Sequence, residues 1–354
     1  MPFAEEFLKV ASREIESKYL ATDFERASAI IMQAVEMCAK LEPSINVEDV
    51  DVYLHGSYAN KSNIYFPSNM EIMVELTTTK RFSPEEVSLE GNYFIDVPLE
   101  FGPKEFRALF TEMMQNLVGD KITERPKSLR LSELEKIKHD IDITPCLSFH
   151  HYQHNDKKEV NRTRGILLHD TDIGRNIVSF PRLHSQNGFD KDKITDGNFK
   201  RMVRVFKTLH HLNVNEFSFT ESSTGKGYFV ECLLYNVPNE LFIDSSTLTR
   251  AQRKNMATPL KDKKDQDLII GDDEAEGKKQ NKTVEHLPQS KIEIFNQIMN
   301  YLVNADMDDF ICQNAVWELF GDAKEFWDQK RAEDFLNAII RLHAAFPASR
   351  TFLA

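Results

Sequence analysis

The hydrophobic period changes once along this chain, and that change constrains the fold more than any other feature. Between residues 51 and 149 four segments alternate apolar and polar side chains: VDVYLH ending at His55, MEIMVEL (70–76), KSLRL (127–131) and KHDIDITPCLSF (138–149). A period of two places alternate residues on opposite faces, so these segments read as strands of one sheet. PKEFRALFTEMMQNLV (103–118) interrupts them as a helix. From about residue 196 the period becomes helical. GNFKRMVRVFKTLHHL, GYFVECLLYNV, IEIFNQIMNYLV and KEFWDQKRAEDFLNAIIRLHAAF all space apolar residues at i, i+3 and i+4. Residues 3–41 read as helix too, with a break predicted near residue 22 from a Thr22–Glu25 capping box. The expectation is therefore an α+β half, 1–195, followed by an all-helical half, 196–354. The charged stretch 256–288 reads as a mobile surface loop. No internal repeat is evident.

Composition narrows the class. A chain of 354 residues with 41% hydrophobic and 28% charged residues has enough apolar mass for two domain cores and is not a disordered polymer. Its net charge of −12 argues against a surface that coats duplex nucleic acid, so an anionic substrate must meet a local basic pocket. The N-terminus carries interleaved charges and lacks a signal-peptide core, and no run reaches the ~20 apolar residues of a membrane span. Cys38, Cys146, Cys232 and Cys312 are widely separated, which favours reduced thiols and a cytoplasmic protein. The Asn-x-Ser/Thr triplets at Asn60, Asn161 and Asn281 then carry no glycosylation meaning.

Three pieces of sequence point to chemistry. Gly56-Ser57 closes a strand, and a Gly-Ser turn at a strand-to-helix junction offers backbone N–H groups and a hydroxyl to phosphate. Twelve residues on, Asn69 and Glu71 share one strand face. Asp140 and Asp142 share a face in the last strand. A Gly-Ser turn, an i,i+2 pair and a distant strand carboxylate are the ingredients of nucleotidyl transfer, in which two divalent ions ~3.5–4 Å apart activate a hydroxyl and hold a triphosphate. Hard oxygen donors suit Mg²⁺. Other motifs favour bland readings: Gly225-Lys226-Gly227 lacks the glycine and Ser/Thr of a Walker loop, and His150, His151, His154 and Cys146 fit no common zinc spacing.

These segments resemble the cGAS/DncV-like nucleotidyltransferases, bacterial synthases of cyclic oligonucleotide signals. HGSYANKSNIY is similar to the family's Gly-Ser-Tyr-Ala-Asn opening and DITPC to its third-carboxylate strand. NIVSFPRLHSQNGFDKDKITDGNFKRMVRVFK and GYFVECLLYNVPNELF resemble its entry into the helical domain. The match runs in order from about residue 50 to 242. It implies a two-lobed, Pol-β-like mixed sheet core with an N-terminal helical spine and a C-terminal helical domain. It implies two Mg²⁺ or Mn²⁺ ions held by Asn69, Glu71 and Asp142, with Asp140 as a further donor. Gly56 and Ser57 would hold terminal phosphates, Lys200, Arg204 and Lys207 would form a basic helical face with Lys207 on the triphosphate, and Tyr228 would stack on a base. Gly227 stands where the family often has Ser. The implied partners are nucleoside triphosphates and, through a diffusible product in antiphage signalling, a downstream effector; neither a membrane nor long duplex nucleic acid is implied.

One departure matters. The family pair is acidic at both positions, whereas here it is Asn69 and Glu71. Three readings stay open: a variant rescued by Asp140, an Asp-to-Asn change that traps substrate, or a weakened nucleotide binder. An RNA- or tRNA-tailing enzyme of the same fold is the remaining alternative, and the −12 charge speaks against its long basic groove.

Overall fold

The computed structural model describes residues 5–15, 17–65, 69–77, 101–132, 134–154, 160–212, 226–243, 291–320 and 329–345. The charged stretch 256–288 lies outside them.

A mixed seven-stranded sheet forms one lobe. β1 (Val50–His55) pairs antiparallel with β2 (Met70–Leu76), and β2 pairs parallel with β5 (Ile141–His154). The other edge of β5 is shared. β4 (Leu129–Leu131) takes its first residues and β6 (Val160–Asp170) takes the stretch from Leu147 onward. Pro145 falls in the gap between those two partners, the place where a strand tolerates a residue without an N–H. β3 (Ile122–Glu124) and β7 (Arg175–Ser179) complete the edges.

Alternation along β2 and β5 divides the sheet into two faces. Ile72, Val74, Ile141 and Ile143 point to one side, where α2 (Leu20–Leu41) and α4 (Pro103–Val118) cover them with Ile31, Val35, Phe106 and Phe110. Each such side chain, fully buried, is worth about 1.5–3 kcal/mol. Glu71, Met73, Glu75, Asp142, Thr144 and Cys146 point to the other side. There only a small apolar cluster of Met73, Cys146, Ile166 and Leu168 forms, which leaves room for polar chemistry.

The second lobe is helical. α5 (Pro181–Ile194), α6 (Asn198–Leu212), α7 (Lys226–Tyr235), α8 (Lys291–Asn304) and α9 (Gln329–Ala345) share a core of Phe199, Phe206, Phe229, Ile298 and Phe335. α1 (Glu5–Ala11) contributes Phe7, Leu8 and Ala11 to this core, although chain order groups it with the sheet.

The N-terminal helix breaks earlier than the sequence predicts. α1 stops at Ala11 and α2 starts at Leu20, so Thr22 and Glu25 lie inside a helix and form no capping box. The physical reason is tertiary. Arg204 Nε donates to the Ser12 carbonyl at 2.8 Å and Asn63 Nδ2 to the Ile15 carbonyl at 2.5 Å, so side chains from elsewhere take up carbonyls that a continuing helix would have used.

Candidate active site

β1 ends in a tight turn into α3 (Gly56–Ala59), a single helical turn. Gly56 has φ +67°, and a Cβ there would collide with the Glu71 carboxylate. The position needs glycine twice over: for its backbone angle and for the approach of that carboxylate. The Ser57 N–H donates to Glu71, and the Ser62 N–H donates to the Ser57 carbonyl at 2.9 Å, so the turn is folded directly onto β2.

The parallel register pairs Glu71 with Asp142, which sets the two carboxylates side by side on the same face. Asn69, just before β2, donates from Nδ2 to Asp142 Oδ2 at 3.0 Å. Arg130 lies opposite Asp142 on β4 and grips both of its oxygens, at 2.6 Å from Nε and 2.9 Å from Nη2. The same guanidinium reaches Asp140 at 3.8 Å. Burial, and then the neighbouring charge of Asp142, push the Glu71 carboxyl up to about 7.

The loop feeding Asp140 and Asp142 is clamped to α2. Asp23, fully buried, accepts from the Lys138 N–H at 2.8 Å and the His139 N–H at 3.2 Å, and its carboxylate lies 2.7 Å from His139 Nδ1. His139 also meets the Tyr58 ring edge-on at 5.5 Å. The Met70 N–H donates to the Asp140 carbonyl at 2.9 Å. Helix α2, the Gly-Ser turn and both acid-bearing strands thus meet at one point.

Lys200, Arg204 and Lys207 do share a face of α6, as their spacing predicts, but their surroundings differ. Arg204 is a tether, donating to the carbonyls of Ser12 and Lys61 (2.5 Å). Lys200 is buried beneath the Phe189 ring with its Nζ lacking a hydrogen bond, and burial lowers its pKa to about 8. Lys207 reaches a side chain of the Gly-Ser loop, donating to Ser62 Oγ at 2.9 Å and pairing with the buried Glu231 of α7. Glu231 also accepts from Ser62 (2.6 Å) and Asn60 (3.1 Å) and lies 2.7 Å from His184 Nε2. Burial opposes its charge, but Lys207 and His184 hold the carboxyl far below its ordinary range. Tyr228 stacks on His184, with ring centroids 4.6 Å apart, so one face of its ring is already covered.

Sequence reasoning missed Arg130, Glu231, His184 and Asp23. Arg130 sat inside an alternating strand and Glu231 inside an apolar helix, and neither position carries a motif. The carboxylate at 231 in an otherwise apolar GYFVECLLY was the available signal, since a buried charge requires partners.

Among the described residues no three His, Cys, Asp or Glu side chains converge as a metal-ion set. The donors present are two carboxylates and an amide. Glu71, Asp142 and the amide oxygen of Asn69 fit one divalent cation by chemistry, all being hard oxygen donors at adjacent positions. Asp140 lies 3.8 Å from the Arg130 guanidinium, held more loosely than Asp142.

Comparison with known proteins follows the same lines. Residues 186–272 match the family model described as the cGAS/DncV-like nucleotidyltransferase C-terminal helical domain. A cyclic UMP-AMP synthase of Rhodothermus marinus is 25% identical over 287 residues, 81% of this chain and 82% of that protein. A cyclic nucleotide synthase of Staphylococcus haemolyticus is 25% identical over 296 residues, with the same two shares. The solved Rhodothermus marinus CdnE c-UMP-AMP synthase with Apcpp and Upnpp superposes with a TM-score of 0.67 at 21% identity, covering 99% of both chains. The Elizabethkingia meningoseptica CdnE cyclic dinucleotide synthase with GTP and Apcpp gives a TM-score of 0.66 at 19% identity, over 98% of this chain and 100% of that one.

Proposed function

Because the chain is a cGAS/DncV-like nucleotidyltransferase, we propose that it joins nucleoside triphosphates into a cyclic di- or trinucleotide signal. The observation that carries this reading is the parallel pairing of β2 with β5, which puts Glu71 beside Asp142 and folds Gly56-Ser57 onto them. The synthase activities of the Rhodothermus and Staphylococcus relatives support it.

Each residue has a task. The Gly56-Ser57 turn receives the terminal phosphates of the donor triphosphate with its hydroxyl and backbone N–H groups. Lys207 sets its positive charge against those phosphates from beside Ser62, the charge that matters most as pyrophosphate leaves. Tyr228, braced by His184, is the aromatic residue assigned to a base. Asn69, Glu71 and Asp142 would hold a divalent ion, Mg²⁺ or Mn²⁺. Such an ion, when bound, neutralises phosphate charge and lowers the pKa of the attacking hydroxyl. Arg204, engaged with the carbonyls of Ser12 and Lys61, steadies α6, and Lys200 remains on the same basic face. The product would act at a distance, on an effector of antiphage signalling in the same cytoplasm. Among the described residues no helix is long and apolar enough to cross a membrane.

The test is incubation with all four triphosphates and Mg²⁺ or Mn²⁺, reading pyrophosphate release and product mass. Wild type is compared with Asn69→Asp and Asp142→Ala. Cyclic products that vanish in Asp142→Ala are the expected result. Turnover by Asn69→Asp alone would locate a switched-off site at one residue. Nucleotide binding without turnover in any variant would replace the synthase by a nucleotide sensor.

A further inference from the structure

We propose that Arg130 is the internal counter-cation of this site: it holds Asp142 while no nucleotide is bound, so that a divalent ion enters together with the nucleotide's phosphates rather than before them. The proposal rests on the reading of Glu71 and Asp142 as metal ligands.

Three observations lead there. The first is occupancy of the lone pairs. Both Asp142 oxygens are taken by Arg130, at 2.6 and 2.9 Å, and Oδ2 also accepts from Asn69 at 3.0 Å. A bidentate guanidinium–carboxylate pair is among the stronger polar contacts a protein makes, and an incoming cation must displace it. The second is charge. Glu71 and Asp142 bring two negative charges, Arg130 takes one back, and Asn69 adds none where the family carries an acid. A dication therefore meets a ligand pair whose two charges Arg130 has already cut to one, and a nucleotide triphosphate is the natural source of the rest. The third is an exit for the arginine. Asp140 lies 3.8 Å from the other guanidinium nitrogen with its side chain half exposed, so Arg130 can move from one aspartate to the other without losing a partner. Because Arg130 and Asp142 are cross-strand partners in β4 and β5, the backbone holds the grip in register.

Mn²⁺ retained by the protein in equilibrium dialysis, measured over a protein-free control, tests this on the full chain with and without a non-hydrolysable triphosphate analogue. Wild type is expected to bind Mn²⁺ weakly alone and much more tightly with the analogue. Arg130→Gln is expected to bind Mn²⁺ alone at least about tenfold more tightly than wild type, with the gap closing once the analogue is present. Arg130→Lys, which keeps the charge and loses the fork, is expected to fall between them and serves if Arg130→Gln does not fold. Equal affinity of wild type and the Arg130 variants without nucleotide overturns the proposal. Asp142→Asn separates the two failures. If it binds Mn²⁺ with the analogue as well as wild type does, the ligand reading itself is wrong, whatever Arg130 does.

Discussion

Glu71 and Glu75 stand four residues apart on the same face of β2, yet they have opposite environments. Glu75 is fully buried and saturated. It accepts from Tyr53 Oη at 2.8 Å, from Ser148 Oγ, and from Arg164 at 2.8 and 3.2 Å, and Arg182 lies 3.5 Å away with its guanidinium stacked 3.9 Å over the Tyr53 ring. Burial alone raises its pKa, but the hydrogen bonds from Ser148 and Arg164 outweigh that and hold it below the ordinary carboxylate value. Glu71 has a backbone N–H from Ser57 and a like charge in Asp142, and its pKa goes up. A carboxylate surrounded by donors is fixed in place and has finished its work by holding strands together. One left under-satisfied beside a second acid keeps lone pairs for something that is not part of the chain.

The sharpest way to break this comparison is to neutralise each acid in turn. Glu71→Gln is expected to lower nucleotidyl transfer by at least ~10²-fold, because the amide keeps the shape and removes a charge from the ligand pair. Its melting temperature should be equal to or above that of wild type, since a half-buried charge beside a like charge is lost. Glu75→Gln should do the reverse. Initial rates per folded molecule stay near wild type, while urea titration shows a loss of about 2 kcal/mol as Arg164 and Arg182 lose their buried partner. Both arginines are over a third exposed and recover part of the cost from water, which is why the figure is not larger. Destabilisation by Glu71→Gln and indifference to Glu75→Gln would invert the assignment of roles.

A smaller effect should appear in the pH dependence of stability. Glu75 has a lower pKa folded than unfolded, so its contribution is fully present above its unfolded value, near 4.5, and drains away as pH falls below it. Urea unfolding of wild type and Glu75→Gln between pH 3.5 and 7 should therefore give curves that converge toward the acid end. Parallel curves would mean that the carboxylate is not held as its contacts imply.

Much of this was readable beforehand, for definite reasons. β2 and α4 were legible because their patterns repeat over a full element: MEIMVEL alternates except at Met73, and 103–118 keeps one apolar stripe. β6 and β7 were not. VNRTRGILLHD is polar in its first half and apolar in its second, because only its second half joins the cluster around Ile166 and Leu168, so no single period describes it. Asn69 and Glu71 could be singled out because they stand two apart, Asp142 because it repeats that spacing with Asp140, and only the family resemblance joined the distant pieces. The spacing of Lys200, Arg204 and Lys207 put them on one face but said nothing of their partners. Those came from Ser12, Lys61, Phe189 and Glu231, and contacts this distant in sequence leave no periodic trace.

The finest distinction concerns Lys207, one of the charges that act on Glu71. Gly227 was noted as a missing hydroxyl, and the structure supplies a steric account instead. A Cβ at 227 would lie 3.3 Å from Lys207 Cε and 3.4 Å from Nζ, tighter than side chains ordinarily pack. Glycine here leaves room for a lysine that must also meet Ser62 and Glu231. Gly227→Ala should displace the ammonium by a few tenths of an ångström and raise the triphosphate KM about threefold, or some 0.6 kcal/mol, with kcat little changed. Gly227→Ser puts the two ideas in direct opposition. If the absent hydroxyl is the important difference, serine lowers KM below the glycine protein. If room for Lys207 is what counts, serine and alanine raise it alike, and the second outcome is the one expected.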